Sequence, residues 1–187
     1  MVLRMLKALV TASLDMRAVA WAAPLAAAWL ITSVPGCKSP SSSDIEESIP
    51  PTISVSCTPT SGGRGTVVIV TVSVKGVSQE IKSFGLEVTF EAQMFAFQSI
   101  AKGNLTQDWA SVDGFETQSG LIKAGGFAGG GTPVGKVSTG SLMTVRFTVT
   151  CEGCASGRQS QVCIQNLADN IKEMRLEPSC ALFTYTQ

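Results

Sequence analysis

From Ile53 onward, apolar and polar positions alternate with a period of two. Val68, Val70, Val72 and Val74 are interleaved with Ile69, Thr71 and Ser73; Phe84, Leu86, Val88 and Phe90 with Gly85, Glu87 and Thr89; Met143, Val145, Phe147 and Val149 with Thr144, Arg146 and Thr148. Successive side chains of an extended chain point to opposite faces, so each run owns one apolar face, and its β-branched and aromatic residues favour a strand. Shorter runs of the same kind lie at 53–57, 94–100, 109–116, 121–127, 161–167 and 181–186, which makes about nine predicted strands. Gly, Asn, Asp and Ser mark the joins. Residues 167–174 have room for one helical turn, and no long amphipathic helix and no internal repeat is predicted. Short strands with one apolar face each predict an all-β, antiparallel sandwich of two sheets.

The first 52 residues follow a different pattern. Arg4, Lys7 and Arg17 precede an uncharged apolar run over 18–34, which Val34-Pro35-Gly36-Cys37 closes. A basic start, an apolar centre and a small residue at the end are the layout of a secretory signal. A Cys directly after that small residue resembles the lipobox of bacterial lipoproteins, in which the Cys is lipidated and becomes the first residue. The expectation is a lipoprotein signal peptide over 1–36 with lipid attachment at Cys37. Translation from Met16 instead of Met1 would leave a more compact signal. The competing reading, a retained membrane anchor, has an apolar run of about 17 residues, at the short limit for a spanning helix. Residues 38–52 are dominated by Ser, Pro and acidic residues and bury too little to fold, so 37–52 is read as a flexible linker. The folded domain is then 53–187, exported and held by an N-terminal lipid in the periplasm or at the cell surface.

Composition narrows the chemistry. The 187 residues carry 14 basic and 14 acidic side chains and no histidine. Zero net charge argues against a nucleic-acid partner. The missing histidine excludes Ser-His-Asp and Cys-His mechanisms and any His-ligated metal. Gly130 to Val137 nearly spells a phosphate loop, but Val137 replaces the magnesium-binding hydroxyl and a strand follows instead of a helix. The Gly-rich run 125–131 reads as a mobile loop or a bulged sheet edge. Asp108, Asp113 and Glu116 lie close in sequence, with nothing to suggest the cleft a two-carboxylate hydrolase needs.

The order of motifs then becomes specific. A glycine-preceded valine strand (Gly62-Gly63-Arg64-Gly65-Thr66-Val67) is followed by Phe84-Gly85-Leu86-Glu87-Val88-Thr89-Phe90, then Met94-Phe95, Gly103-Asn104-Leu105 and Gly120-Leu121-Ile122-Lys123-Ala124-Gly125. Last comes Gly140-Ser141-Leu142-Met143-Thr144-Val145-Arg146-Phe147. This series, over roughly 53–186, resembles a cohesin domain. The resemblance implies a nine-stranded jelly-roll sandwich related to one group of cellulose-binding modules. It implies no enzyme, no cofactor and no metal of its own. The implied partner is a dockerin-type protein, which carries the calcium and docks on one flat sheet made of the third, fifth, sixth and eighth strands. On that sheet Ser83, Glu87 and Thr89 would face outward from the third strand, Lys123 from the sixth and Gln165 from the eighth.

Five cysteines follow Cys37, and export favours disulfides. Because the first and last strands are neighbours in cohesins, the resemblance implies a Cys57–Cys180 bridge, with Cys163 bonded to Cys151 or Cys154 and one thiol left over. A zinc site from Cys151, Cys154, Cys163 and Cys180 is the weaker alternative, since such sites usually join two close pairs and only one is present. A second function on the same sandwich is carbohydrate binding. Trp109 and Tyr185 are the only Trp and Tyr after Cys37, and most of the eight Phe fall in core phase, which leaves a loop contact at Trp109 as the candidate for a polysaccharide.

Overall fold

The computed structural model describes residues 50–187. The expected signal peptide, Cys37 and nearly all of the linker lie outside the described residues. The strands are β1 (Thr52–Thr58), β2 (Ser61–Gly62), β3 (Val67–Lys75), β4 (Ser83–Phe90), β5 (Phe95–Lys102) and β6 (Ser111–Gln118). They continue with β7 (Leu121–Phe127), β8 (Gly140–Val149), β9 (Gln159–Asp169), β10 (Arg175–Leu176) and β11 (Cys180–Tyr185). One sheet has the order β10-β1-β3-β8-β5 and the other β2-β11-β9-β4-β7-β6. The nine strands read from the sequence are β1, β3 to β9 and β11. The additions β2 and β10 are two-residue margins that run parallel to β11 and β1. At the opposite side of the sandwich, β5 of one sheet lies against β6 of the other.

Alternation builds the core. Val68, Val70, Val72 and Val74 of β3, Phe84, Leu86 and Val88 of β4, and Val145 and Phe147 of β8 are all buried in one core. The Phe147 ring stands 4.9 Å from Phe90 and 5.7 Å from Phe95, which in turn meets Phe183 edge-on at 5.4 Å. Each such side chain contributes about 1.5–3 kcal/mol by leaving water. A one-residue slip of any strand would expose its whole apolar set, so the register is strongly fixed.

Two local expectations change. No helical turn forms over 167–174: β9 runs on to Asp169, and the turn after it seats Ile171 in the core. Gly125 and Gly126 are not loop residues but part of β7, which is hydrogen-bonded on both sides, to β4 and to β6.

The cysteine pairing also differs from the expectation. Cys163 is bonded to Cys180, and Cys151 to Cys154; Cys57 is free and buried. Strand phase is the reason. Cys57 belongs to the inward set of β1, where its Sγ donates to the Leu182 carbonyl at 3.1 Å and burial pushes its thiol pKa up. Cys180 belongs to the outward set of β11 and sits directly opposite Cys163 of β9, with 4.0 Å between their Cα atoms. Neighbouring strands are therefore not enough; Cys57 and Cys180 point to opposite sides of their sheets. Cys151 and Cys154 close a turn just after β8, which removes the zinc alternative along with the Cys163 pairing expected there.

A bridge stabilises chiefly by restricting the unfolded chain, and more so for a longer loop. The Cys163–Cys180 bond spans 17 residues and the Cys151–Cys154 bond spans 3. Replacing the first pair by alanine is expected to cost about 3 kcal/mol and the second about 2 kcal/mol. Urea denaturation of the two double variants measures both; a larger loss at 151–154 would contradict this ranking.

Candidate functional site

The third, fifth, sixth and eighth expected strands are β4, β6, β7 and β9, and they lie side by side in the order β9-β4-β7-β6. Register arranges their outward side chains in rows across the sheet. One row reads Phe115, Lys123, Glu87, Gln165. The next reads Asp113, Gly125, Gly85, Ala168, and the one beyond it Ser111, Phe127, Ser83. On the other side of Glu87, Leu121, Thr89, Cys163 and Cys180 form a further row. The structure thus brings Ser83, Glu87, Thr89, Lys123 and Gln165 onto one face.

Glu87 is the electrostatic centre of that face, and its oxygens are already engaged. Lys123 Nζ lies 3.7 Å from Oε1, while the amides of Gln165 and Asn166 both donate to Oε2, Gln165 at 3.2 Å. Only 18% of the Glu87 side chain is accessible, against 59% for Lys123. The amide of Asn166, then that of Gln165, then the Lys123 ammonium hold the Glu87 carboxyl below its ordinary range. A carboxylate only accepts, so both amides turn their NH2 groups inward and their carbonyl oxygens away from Glu87. Asn166 reaches this position through a bulge. The pairing of β4 with β9 shifts between Gly85 and Glu87, and Asn166 takes a left-handed φ of 51°. Asn tolerates that region better than most residues.

Sequence reasoning missed four exposed positions. Phe115 and Phe127 are 67% and 52% exposed, and Leu182 and Asn166 are exposed as well. The two Phe were readable in principle: once Ile122 and Ala124 are placed inward on β7, Phe127 falls in phase with Lys123 on the outside. Phe115 required the β6–β7 register, and Asn166 required the bulge.

Trp109 is corrected. It precedes β6 and is 1% exposed, packed 5.7 Å from the Phe84 ring with its Nε1 donating to the Thr132 carbonyl at 2.9 Å. It is a core residue, and a contact with a polysaccharide is closed to it. Tyr185 is buried too. The three neighbouring acids are spent on local backbone: Asp108 accepts from the Thr132 N–H at 2.8 Å, Asp113 from Gly114 at 2.7 Å and Glu116 from Gly120 at 3.0 Å. Thr132 holds the Asp108 carboxyl below its usual range. No group of three or more metal-ligating side chains comes together among the described residues.

Comparison with known proteins agrees with this geometry. A family model for the Cohesin domain matches residues 53–170. A search of curated proteins gives no match. Among solved structures, the chain is similar to a non-cellulosomal cohesin from the hyperthermophilic archaeon Archaeoglobus fulgidus, at 19% identity and a TM-score of 0.55, over 74% of this chain and 93% of that one. It is similar to CaCohA2 from Clostridium acetobutylicum, at 20% identity and a TM-score of 0.57, over 72% and 91%. The sixth cohesin of Acetivibrio cellulolyticus scaffoldin B, solved with a mutant Cel5 dockerin, gives 16% identity and a TM-score of 0.59, over 74% and 99%. At these identities the likeness concerns the fold.

A carboxylate with a depressed folded-state pKa adds stability above its unfolded pKa and loses it as the pH falls through the folded value. The stability advantage of the wild type over Glu87→Gln is therefore expected at neutral pH. It should fade as the pH drops below the ordinary glutamate value of about 4.3. Thermal unfolding of both proteins across the acid range measures this; an advantage that persists undiminished to about pH 2 would contradict it.

Proposed function

The chain belongs to the cohesin family of non-catalytic protein-binding modules, and from that premise we propose that it captures a dockerin-type module on the outer face of β9-β4-β7-β6. The observation that carries this reading is the face itself: four adjacent strands whose outward rows hold exposed Phe115 and Phe127 beside a polar cluster at Glu87. Large exposed aromatics on a flat sheet fit protein docking, where such side chains supply much of the contact energy. Calcium belongs to the partner in this reading, because the dockerin's own loops need it. A dockerin borne by a polysaccharide-degrading enzyme is the expected partner, with no direct contact between this chain and the sugar.

Calorimetry of the full chain against calcium-loaded dockerin modules encoded by the same organism tests the reading. The expected result is one-to-one binding with a Kd below about 1 µM, abolished when a chelator strips the dockerin. Failure of every dockerin to bind in calcium would overturn it.

The segment before the domain supports a second part of the proposal. The Cys after Val34-Pro35-Gly36 carries a lipid, and the Ser/Pro-rich spacer holds the domain off the bilayer, outside the cytoplasm. Cys37→Ser is expected to move the protein from the membrane fraction to the soluble one and to abolish labelling by a radioactive fatty acid. Unchanged labelling would overturn the anchor.

A further inference from the structure

The strands give the sandwich two ends, and one of them holds most of the positive charge. Register places Thr52 opposite Lys75, Val74 opposite Gly140 and Ser83 opposite Phe127. The start of β1, the end of β3, the start of β4 and the loop from β7 to β8 therefore share that end. Six of the ten Lys and Arg among the described residues lie there: Lys75, Lys82, Lys102, Lys136, Lys172 and Arg175. Four of them are engaged. Lys82 pairs with Glu80 at 3.7 Å, Lys172 with Glu173 at 3.8 Å and Arg175 with Glu177 at 3.1 Å, and the Lys102 ammonium donates to the carbonyls of Gln107 and Trp109. Of the other acids at this end, Asp108 accepts from the Thr132 N–H and Asp169 ends β9 in the other sheet. Lys75 and Lys136 are exposed and form no ion pair among the described residues.

Between these two lysines the β7–β8 loop carries a strained apolar tip. Val134 turns into the core and bridges Ile81, whereas Val137 is 84% exposed, more than any other large apolar side chain among the described residues. Its φ is 56°. A β-branched residue in the left-handed region is an outlier, because its side chain crowds the backbone there. The loop imposes the conformation: the Val137 N–H donates to the Val77 carbonyl at 2.8 Å, two residues past Lys75. Exposure and backbone preference thus both argue against valine at this position, and strain of this kind clusters where function uses it. The chain enters the domain at the same corner. Thr52 lies opposite Lys75, and the Pro51 carbonyl accepts from the Arg175 N–H at 3.0 Å.

We propose that this tip, Val137 with Lys136 and Lys75 beside it, touches the surface of an anionic bilayer, the valine among the lipid headgroups and the two ammonium groups on their phosphates. An exposed apolar side chain flanked by unpaired cations has the composition of an interfacial contact, and each Lys close to an anionic leaflet strengthens binding about fivefold. The proposal rests on the lipid-anchor reading above and adds to it a contact made by the domain itself. With an anchor at Cys37, the spacer to Thr52 spans about 20 Å on average, so this corner is the part of the domain held nearest the bilayer. The spacer still keeps the body of the domain clear, because only the loop tip reaches the headgroups. Strands run away from this end, and β3 alone rises about 30 Å. The outer face of β9-β4-β7-β6 then stands upright and open to a partner.

The test uses the full chain, reconstituted on vesicles of phosphatidylcholine with or without phosphatidylglycerol. A polarity-sensitive dye is attached through Val137→Cys and, in a second protein, through Gln118→Cys at the far end of β6. The Cys57 thiol is buried and shielded from the label. On vesicles with phosphatidylglycerol, the dye at 137 is expected to shift its emission to the blue and to lose quenching by acrylamide, while the dye at 118 does neither. Lys75→Glu combined with Lys136→Glu should abolish the shift at 137. All four positions are exposed, so unchanged thermal unfolding of the variants verifies the fold. A dye at 137 that stays as accessible as the one at 118, on protein that floats with the vesicles, overturns the contact and leaves the anchor standing. A shift that is equal on pure phosphatidylcholine, or that survives the double charge reversal, overturns the contact with anionic lipid. Protein that does not float with either vesicle overturns both.

Discussion

Every residue of a strand must choose between two faces, and its neighbours must take the opposite choice. That parity governs most of what this domain is. On β3 and β4 it sends valine, leucine and phenylalanine into a shared core and leaves Thr71, Ser73, Glu87 and Thr89 outside. The same rule, applied across neighbouring strands by register, gathers Lys123, Glu87 and Gln165 into one line. It also makes Cys57 a buried thiol and Cys163 and Cys180 an outward-facing bridge. Because a one-residue slip would invert a whole strand, burial of the core and composition of the outer face are a single constraint.

Parity within a strand is visible in a sequence, and parity between strands is not. The alternating runs around Val70, Leu86 and Val145 identified their strands within a few residues. The run around Leu86 also put Ser83, Glu87 and Thr89 on the outward side, while Lys123 and Gln165 came from the strands that the family resemblance assigns to the same face. Trp109 failed because it lies just ahead of β6, where alternation no longer applies, and its indole found a partner in the Thr132 carbonyl far along the chain. Cys57 and Cys180 failed because adjacency of two strands was taken as sufficient, without asking which way each side chain points. Asn166 was beyond reach for another reason: a bulge adds a residue out of phase, and no composition signal marks where β9 receives it.

The electrostatics of the outer face divide labour between neighbouring rows. Two amides and an ammonium converge on one carboxylate, which makes the Glu87 row rigid and close to neutral. The adjoining row is bare backbone at Gly85 and Gly125. A braced, neutral ridge beside an empty floor is a shape that shape-complementary, largely apolar contacts can use, and it asks for little long-range charge attraction.

The margins of the two sheets have a consequence of their own. An unpaired strand edge is a template on which a second molecule can extend the sheet, the first step toward aggregation. Here β10 and β2 cover one end each of β1 and β11, the rest of β1 lies against β11 across that side of the sandwich, and β5 lies against β6 on the far side. Copies of this domain can therefore be crowded together at high density without zipping edge to edge, leaving the broad faces as the surfaces through which molecules meet.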